Sequence, residues 1–268
     1  VKEYNNIKIF EHTFAIDLIT KDGVCHGAIA FHETKGTMLI WAKQTILATG
    51  GCGQIYRETT NPEVATGDGL AMAYRAGAAL QDMEFVQFHP TTLYIAGAVR
   101  FLISETVRGE GGILRNKKGE RFMPYYHPQA ELAPRDVVSQ SILKEMQKTD
   151  HTHVYLDVRH IPKERLYNRF PKINEICASF GIDIAKDLIP VRPSAHYMIG
   201  GIKVNRFFKT TIKQLYACGE VACTGMHGAN RLGSNSLLEG LVTGHGAGTH
   251  ACLSIKKTKR DVSPYNIQ

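Results

Sequence analysis

The chain has 268 residues, 43% of them hydrophobic and 21% charged, with a formal net charge of +7. That balance is typical of one large or two modest folded domains and unlike that of disordered or fibrous chains. No apolar run approaches the roughly 18 residues of a membrane span. Lys and Arg are scattered rather than gathered into a stripe with aromatics between them, so nucleic acid is disfavoured and a small anionic ligand is favoured. The six cysteines form no CxxC pair, which argues against a zinc site and for reduced thiols in a cytoplasmic protein. The start at Val1, without Met and without an apolar signal segment, makes a fragment of a longer protein the expectation.

In chain order, residues from Ile7 to about Ile46 alternate apolar and polar positions, with turn signals at Lys21–Gly23 and Thr34–Gly36, and predict a β-meander. TILATGG (Thr45–Gly51) reads as a short buried strand running into glycines, where backbone can approach something flat or charged. Thr66–Ala79 predicts a helix with Leu70, Ala73, Tyr74, Gly77 and Ala78 on one packed face, capped by its Thr-Gly-Asp start.

EFVQFHP (Glu84–Pro90), SETVRGEGG (Ser104–Gly112) and ELAPRD (Glu131–Asp136) then bring His, Glu and Arg together in glycine- and proline-rich sequence. A dianion leaving water needs charge-assisted donors for each carboxylate, and His89 and Arg135 supply that chemistry. A hairpin is predicted around Lys117–Gly119, a helix from about Pro134 to Gln147, a strand over His153–Val158, and a helix interrupted at Pro171 and ended by Gly181. This stretch has the texture of an inserted α+β lobe.

Pro193–Asn205 returns to strand patterning. In TIKQLYACGE (Thr211–Glu220), Glu220 falls just past a strand's C-terminal end, where open α/β sheets bind ligands and a carboxylate can accept hydrogen bonds from sugar hydroxyls. HGANRLGSNSLLEGLVTGHGAGTHA (His227–Ala251) runs from a glycine-rich loop into a helix starting near Ser234–Ser236. Gly240, Gly244 and Gly248 make a bare stripe on it. The helix start offers unpaired N–H groups and a partial positive charge.

FHPT, SETVRGEGG, GERFM (Gly119–Met123), RDVVS, AHYMIGG (Ala195–Gly201), YACGE and HGANRLGSNSLLE occur in order across nearly the whole chain. In them the chain resembles the flavoprotein family of succinate dehydrogenase, fumarate reductase and L-aspartate oxidase. ELAPRD, VYLDV and SNSLLEGLV look like the L-aspartate oxidase versions. The resemblance implies an α/β fold with an α+β insertion, namely a partial FAD-binding domain of the fumarate reductase flavoprotein type with an inserted capping domain. The expected boundaries are 1–88 and 193–268 for the FAD-binding parts and 89–192 for the cap.

The resemblance also implies roles. His89, His196 and Arg231 match residues that hold substrate carboxylates, with Gln87 and Ser104 lining the pocket. Arg135 matches the arginine at the reacting carbon, and Glu105 and Arg108 match its proton relay. Glu220, Ser236, Leu237, Asn235, Thr49 and Gly50 match flavin contacts. No metal is implied. The activity implied is FAD-dependent oxidation of L-aspartate to iminoaspartate in de novo NAD biosynthesis, with dioxygen or fumarate as acceptor and quinolinate synthase as a pathway partner. Two alternatives stand beside it: a succinate dehydrogenase or fumarate reductase flavoprotein subunit acting on succinate or fumarate, and an inactive fragment that folds without flavin. Each residue also has a structural reading: a core histidine, a loop-capping Arg231, or an i, i+3 pair at Glu105 and Arg108.

One departure matters. The GxGxxG fingerprint that seats a dinucleotide pyrophosphate on a helix N-terminus occurs nowhere in the sequence. The nearest glycines, Gly50 to Gly53, lack its spacing.

Overall fold

The computed structural model describes residues 3–95 and 100–257. Alternating residues form β1 (Thr13–Lys21), β2 (Val24–His32) and β3 (Gly36–Trp41), an antiparallel meander in the order β1-β2-β3. The turns fall where Asp22 and Gly23, and later Gly36, take positive φ. β4 (Thr45–Leu47) leads into the glycines, α1 (Asp68–Arg75) follows, and β5 (Leu80–Gln81) is a two-residue strand.

Helix α1 is shorter than its sequence pattern predicts. Its N-cap is Gly67 in the left-handed region with no side-chain cap bond, because Thr66 Oγ1 bonds the Asp68 carboxylate instead. Leu70, Ala73 and Ala78 are buried, but Tyr74 is 70% exposed and does not belong to the packed face.

Next come β6 (Val86–Leu93), α2 (Glu105–Gly109), β7 (Ile113–Arg115), α3 (Met123–Tyr126), α4 (Arg135–Lys148), β8 (Val154–Asp157), α5 (Lys163–Arg169), α6 (Pro171–Ser179) and β9 (Ile189–Met198). Pro134 is the N-cap of α4 rather than part of its first turn. Pro171 opens α6, where its missing N–H costs nothing. The chain closes with β10 (Gly201–Lys203), β11 (Leu215–Ala217), β12 (Ala222–Cys223) and α7 (Asn235–Lys257). None of the helices among the described residues is long and apolar enough to cross a membrane.

Two compact units result. One is drawn from residues up to Cys52, Ala65–Phe85, and residues from Met198 onward. It holds the meander, the parallel pair β4–β11 and the mixed sheet β12-β10-β5. Helix α7 packs in this unit through Ala247 and Ala251, against Tyr216 and Cys218. A Cβ added at Gly240, Gly244 or Gly248 would meet nothing within 4 Å among the described residues, although Gly240 Cα lies 4.0 Å from where a Gly219 Cβ would stand. The close approach is at Gly246 instead, where a Cβ would overlap the Phe208 ring.

The other unit comprises Gly53–Val64 and Val86–Tyr197. Its four-stranded sheet has the order β6-β9-β8-β7. Leu114, Val138, Ile142, Leu156, Ile189 and Val191, all under 1% exposed, lie at the centre of its core. Burying side chains of this size contributes about 1.5–3 kcal/mol each before ordering costs are subtracted.

Candidate functional site

His89, Gln87, Ser104, Glu105, Arg108, Arg135 and His196 all lie in the second unit. His89 is on β6, fully buried at 0% exposure. The backbone N–H of Thr91 donates to its Nδ1 at 3.3 Å. A backbone N–H can only donate, so Nδ1 accepts and the neutral ring carries its proton on Nε2. That Nε2 is buried and has no hydrogen-bond partner among the described residues. Burial, then the positive charge of Arg135, His196 and Arg108, holds the imidazole well below its ordinary pKa. The result is a neutral N–H donor in a field that favours an anion.

His196, on β9, faces His89 edge-on with ring centroids 5.3 Å apart. A strap, residues 53–64, holds it: Thr60 Oγ1 lies 2.9 Å from His196 Nδ1, and Asn61 Nδ2 donates to the His196 carbonyl at 2.8 Å. Neither residue stands out in the sequence. Their only signal was Thr-Thr-Asn-Pro, a string of side chains that readily bond backbone.

Arg135 opens α4, where a cation opposes the helix dipole and needs compensation. It finds that locally. Its Nε donates to Glu105 Oε2 at 2.7 Å and its Nη1 to Gln87 Oε1 at 3.1 Å. Glu105 begins α2, and the hydroxyl of Ser104 caps that helix by accepting the Thr106 N–H at 3.3 Å. Arg108 follows one turn later with its side chain fully buried. Its Nη1 donates to the Glu131 carbonyl at 2.5 Å and its Nη2 is 3.8 Å from Glu105 Oε1. Desolvation lowers the pKa of Arg108 against the raising effect of Glu105. Glu105, with a side chain 43% exposed, is the solvent-facing member of the three, and Arg108 is the enclosed one.

Thr49, Gly50, Glu220, Arg231, Asn235, Ser236 and Leu237 lie in the first unit. Glu220 sits just beyond β11, and its Oε1 accepts the Met198 N–H at 2.9 Å. Desolvation raises its pKa, the largest of several influences. Gly51 leaves room for this carboxylate, since a Cβ there would overlap it. Gly50 is at φ +74° with open space around it, and Thr49 fills the notch over Gly69. Asn235, Ser236 and Leu237 form the first turn of α7, which contains no acidic residue. Arg231, 4% exposed, precedes that turn and donates from Nη1 to Ser236 Oγ at 3.2 Å.

These residues of the first unit fit a flavin. A desolvated carboxylate at a strand end accepts from hydroxyls, a side-chain-free Gly50–Gly51 edge admits a flat ring, and a helix start with a buried arginine favours negative charge. Leu237, Leu238, Leu241 and Val242 on α7 are all more than 60% exposed. Among the described residues no three His, Cys, Asp or Glu side chains gather as a metal ion requires.

The FAD binding domain family matches residues 1–237. The chain is 53% identical over 250 residues to L-aspartate oxidase 2-b, chloroplastic, of Nicotiana tabacum, covering 88% of this chain and 39% of that protein. It is 51% identical over 254 residues to L-aspartate oxidase 1 of Ralstonia nicotianae, covering 92% of this chain and 48% of that one. Among solved structures it is similar to an E. coli quinol fumarate reductase, with TM-score 0.89 and 40% identity over 97% of this chain and 48% of that chain. It thus spans less than half the length of these relatives. The chain belongs to the FAD binding domain family, and its cofactor is FAD.

Proposed function

We propose that the whole protein to which these residues belong oxidises L-aspartate to iminoaspartate, with dioxygen or fumarate taking up the electrons. The observation that carries this reading is the His89 Nε2–H, buried and unmatched beside His196 and Arg135. Buried donors are rarely left unpaired, and a substrate carboxylate is the group that this one suits. Bound FAD would supply hydride acceptance, held by Glu220, Ser236, Leu237, Asn235, Thr49 and Gly50.

The chain's own residues would do the rest. His89 and His196 donate to a carboxylate, and Gln87 and Ser104 line that position. In the other unit, Arg231 is the residue that the family resemblance gives to a substrate carboxylate. Arg135 faces the reacting carbon. In the sense of fumarate reduction it gives a proton to that carbon and regains one through Glu105, whose exposure allows exchange with water. The enclosed Arg108 flanks Glu105 on the other side, its Nη2 3.8 Å from Glu105 Oε1.

The close identity to the two oxidases supports aspartate as the substrate. As part of the same reading we place the reaction in the cytoplasm, with quinolinate synthase consuming the product. A second reading, a succinate or fumarate oxidoreductase flavoprotein, is supported by the close backbone match to quinol fumarate reductase. Anaerobic titration of the flavin-loaded protein separates them. L-Aspartate is expected to bleach the flavin absorption and succinate to leave it. Bleaching by succinate alone would overturn the first reading in favour of the second.

A further inference from the structure

Arg231 lies in a segment with little means of holding itself still. Residues 224–234 connect β12 to α7, contain Gly225, Gly228 and Gly233, and take positive φ at Gly225, Gly228 and Ser234. Fixing such backbone costs conformational entropy at every residue. A buried guanidinium there needs an anchor outside its own loop.

The anchor is visible in the first turns of α7. Glu239 is 3% exposed. Its Oε1 accepts from Thr224 Oγ1 at 2.8 Å, and its Oε2 lies 2.8 Å from His227 Nε2. Both partners come from the start of the glycine-rich segment. The His227 and Glu239 side chains are 5% and 2% exposed, so water competes little for either. The loop continues from that point: Asn230 N–H donates to the His227 carbonyl at 3.2 Å, and Arg231 follows. On its other side the helix is tied to the strand end that carries Glu220. Thr243 Oγ1 donates to the Glu239 carbonyl at 2.6 Å and accepts the Gly219 N–H at 2.9 Å. One buried carboxylate thereby joins the Arg231 loop to α7, and the next helical turn joins α7 to Glu220's turn.

We propose that His227 and Glu239 are positioning residues for Arg231: their buried pair, with Thr224, sets where its guanidinium stands. The inference rests on the proposed substrate role of Arg231 and extends it. Neither side chain is assigned contact with substrate or cofactor. Removing the pair should loosen the Arg231 loop while leaving α7 and its flavin-facing turn in place, because that helix packs separately through Ala247 and Ala251.

The test uses the whole flavin-loaded protein and compares His227→Ala, Arg231→Ala and the double variant. His227→Ala is expected to raise KM for the dicarboxylate by about tenfold or more, with kcat changed much less and flavin content and spectrum unchanged. His227→Gln, whose amide can still donate to Glu239, should recover most of the loss. In the Arg231→Ala background, His227→Ala should add almost nothing, because both changes remove one interaction. If His227→Ala does not fold, Thr224→Val removes the other bond to Glu239, together with the Met226 N–H bond to the same hydroxyl, and should raise KM about threefold. An unchanged KM in that variant counts against the proposal.

A normal KM in His227→Ala, or effects of the two alanine variants that multiply, would overturn the positioning role while leaving Arg231 in place. Arg231→Ala with unchanged KM would overturn the substrate role of Arg231 and this inference with it.

Discussion

At the scale of single residues, chemistry is decided by which polar atoms are satisfied and which are not. His89 is defined by one backbone donor on Nδ1 and nothing on Nε2. Its sequence signal, a His followed by Pro, does not reveal which nitrogen carries the proton. The structure does, and a measurement follows. In nitrogen-15 spectra of histidine-labelled protein without dicarboxylate, His89 should appear as the neutral Nε2–H form at about pH 6, where ordinary histidines near pKa 6.5 are mostly protonated. The sign agrees with linkage. A folded pKa below the unfolded one means that His89 contributes stability above about pH 6.5 and that this is lost as pH falls below it. An imidazolium signal for His89 at pH 6 would contradict the assignment.

Sequence motifs singled out Arg135, Glu105 and Arg108, and the structure brings the three together. The order of exposure was not legible. Which of Glu105 and Arg108 meets water depends on packing around α2, where the Glu131 carbonyl takes the Arg108 guanidinium. Thr60, Asn61, His227 and Glu239 do not stand out in the sequence for the same reason. Each acts on a residue distant in the chain or across a loop, and no periodicity reports such contacts.

At the scale of elements, regular patterns were readable and glycine roles less so. The meander, α4, the break at Pro171 and the start of α7 follow from alternation, helical spacing and proline. The short α1 and its exposed Tyr74 do not, because Thr66 turns to Asp68 rather than to the helix N–H groups. There is room for a Cβ at Gly240, Gly244 and Gly248, whereas at Gly246 the Phe208 ring leaves none. Gly51 is the glycine with a consequence for the cofactor. A methyl group there would overlap the Glu220 carboxylate and push it from the Met198 N–H. Gly51→Ala is therefore expected to weaken FAD binding about tenfold or more, a loss of roughly 1.4 kcal/mol. An unchanged dissociation constant by flavin fluorescence titration would count against Glu220 as a contact.

At the scale of the whole molecule, the motif series was more informative than any element. Seven short strings in order carried the family assignment, and the FAD binding domain match over residues 1–237 agrees with it. The division of the chain into two compact units was less legible. Residues 53–64 belong with the second unit although the residues on both sides of them, up to Cys52 and from Ala65, belong to the first. Such a strap is set by long-range hydrogen bonds, Thr59 and Thr60 to Ala195 among them.

In the proposed reaction Arg135 serves the reacting carbon of a dicarboxylate. Arg135→Leu in the whole flavin-loaded protein, assayed for fumarate reduction, probes that role alone. Leucine keeps bulk near the guanidinium's position and removes the proton donor and its bond to Glu105. Turnover is predicted to fall by about a thousandfold or more, in the range of losing an acid–base or charge-stabilising group. FAD content and the visible spectrum should stay as in the parent. Turnover within a few-fold of the parent, with FAD retained, would contradict the account.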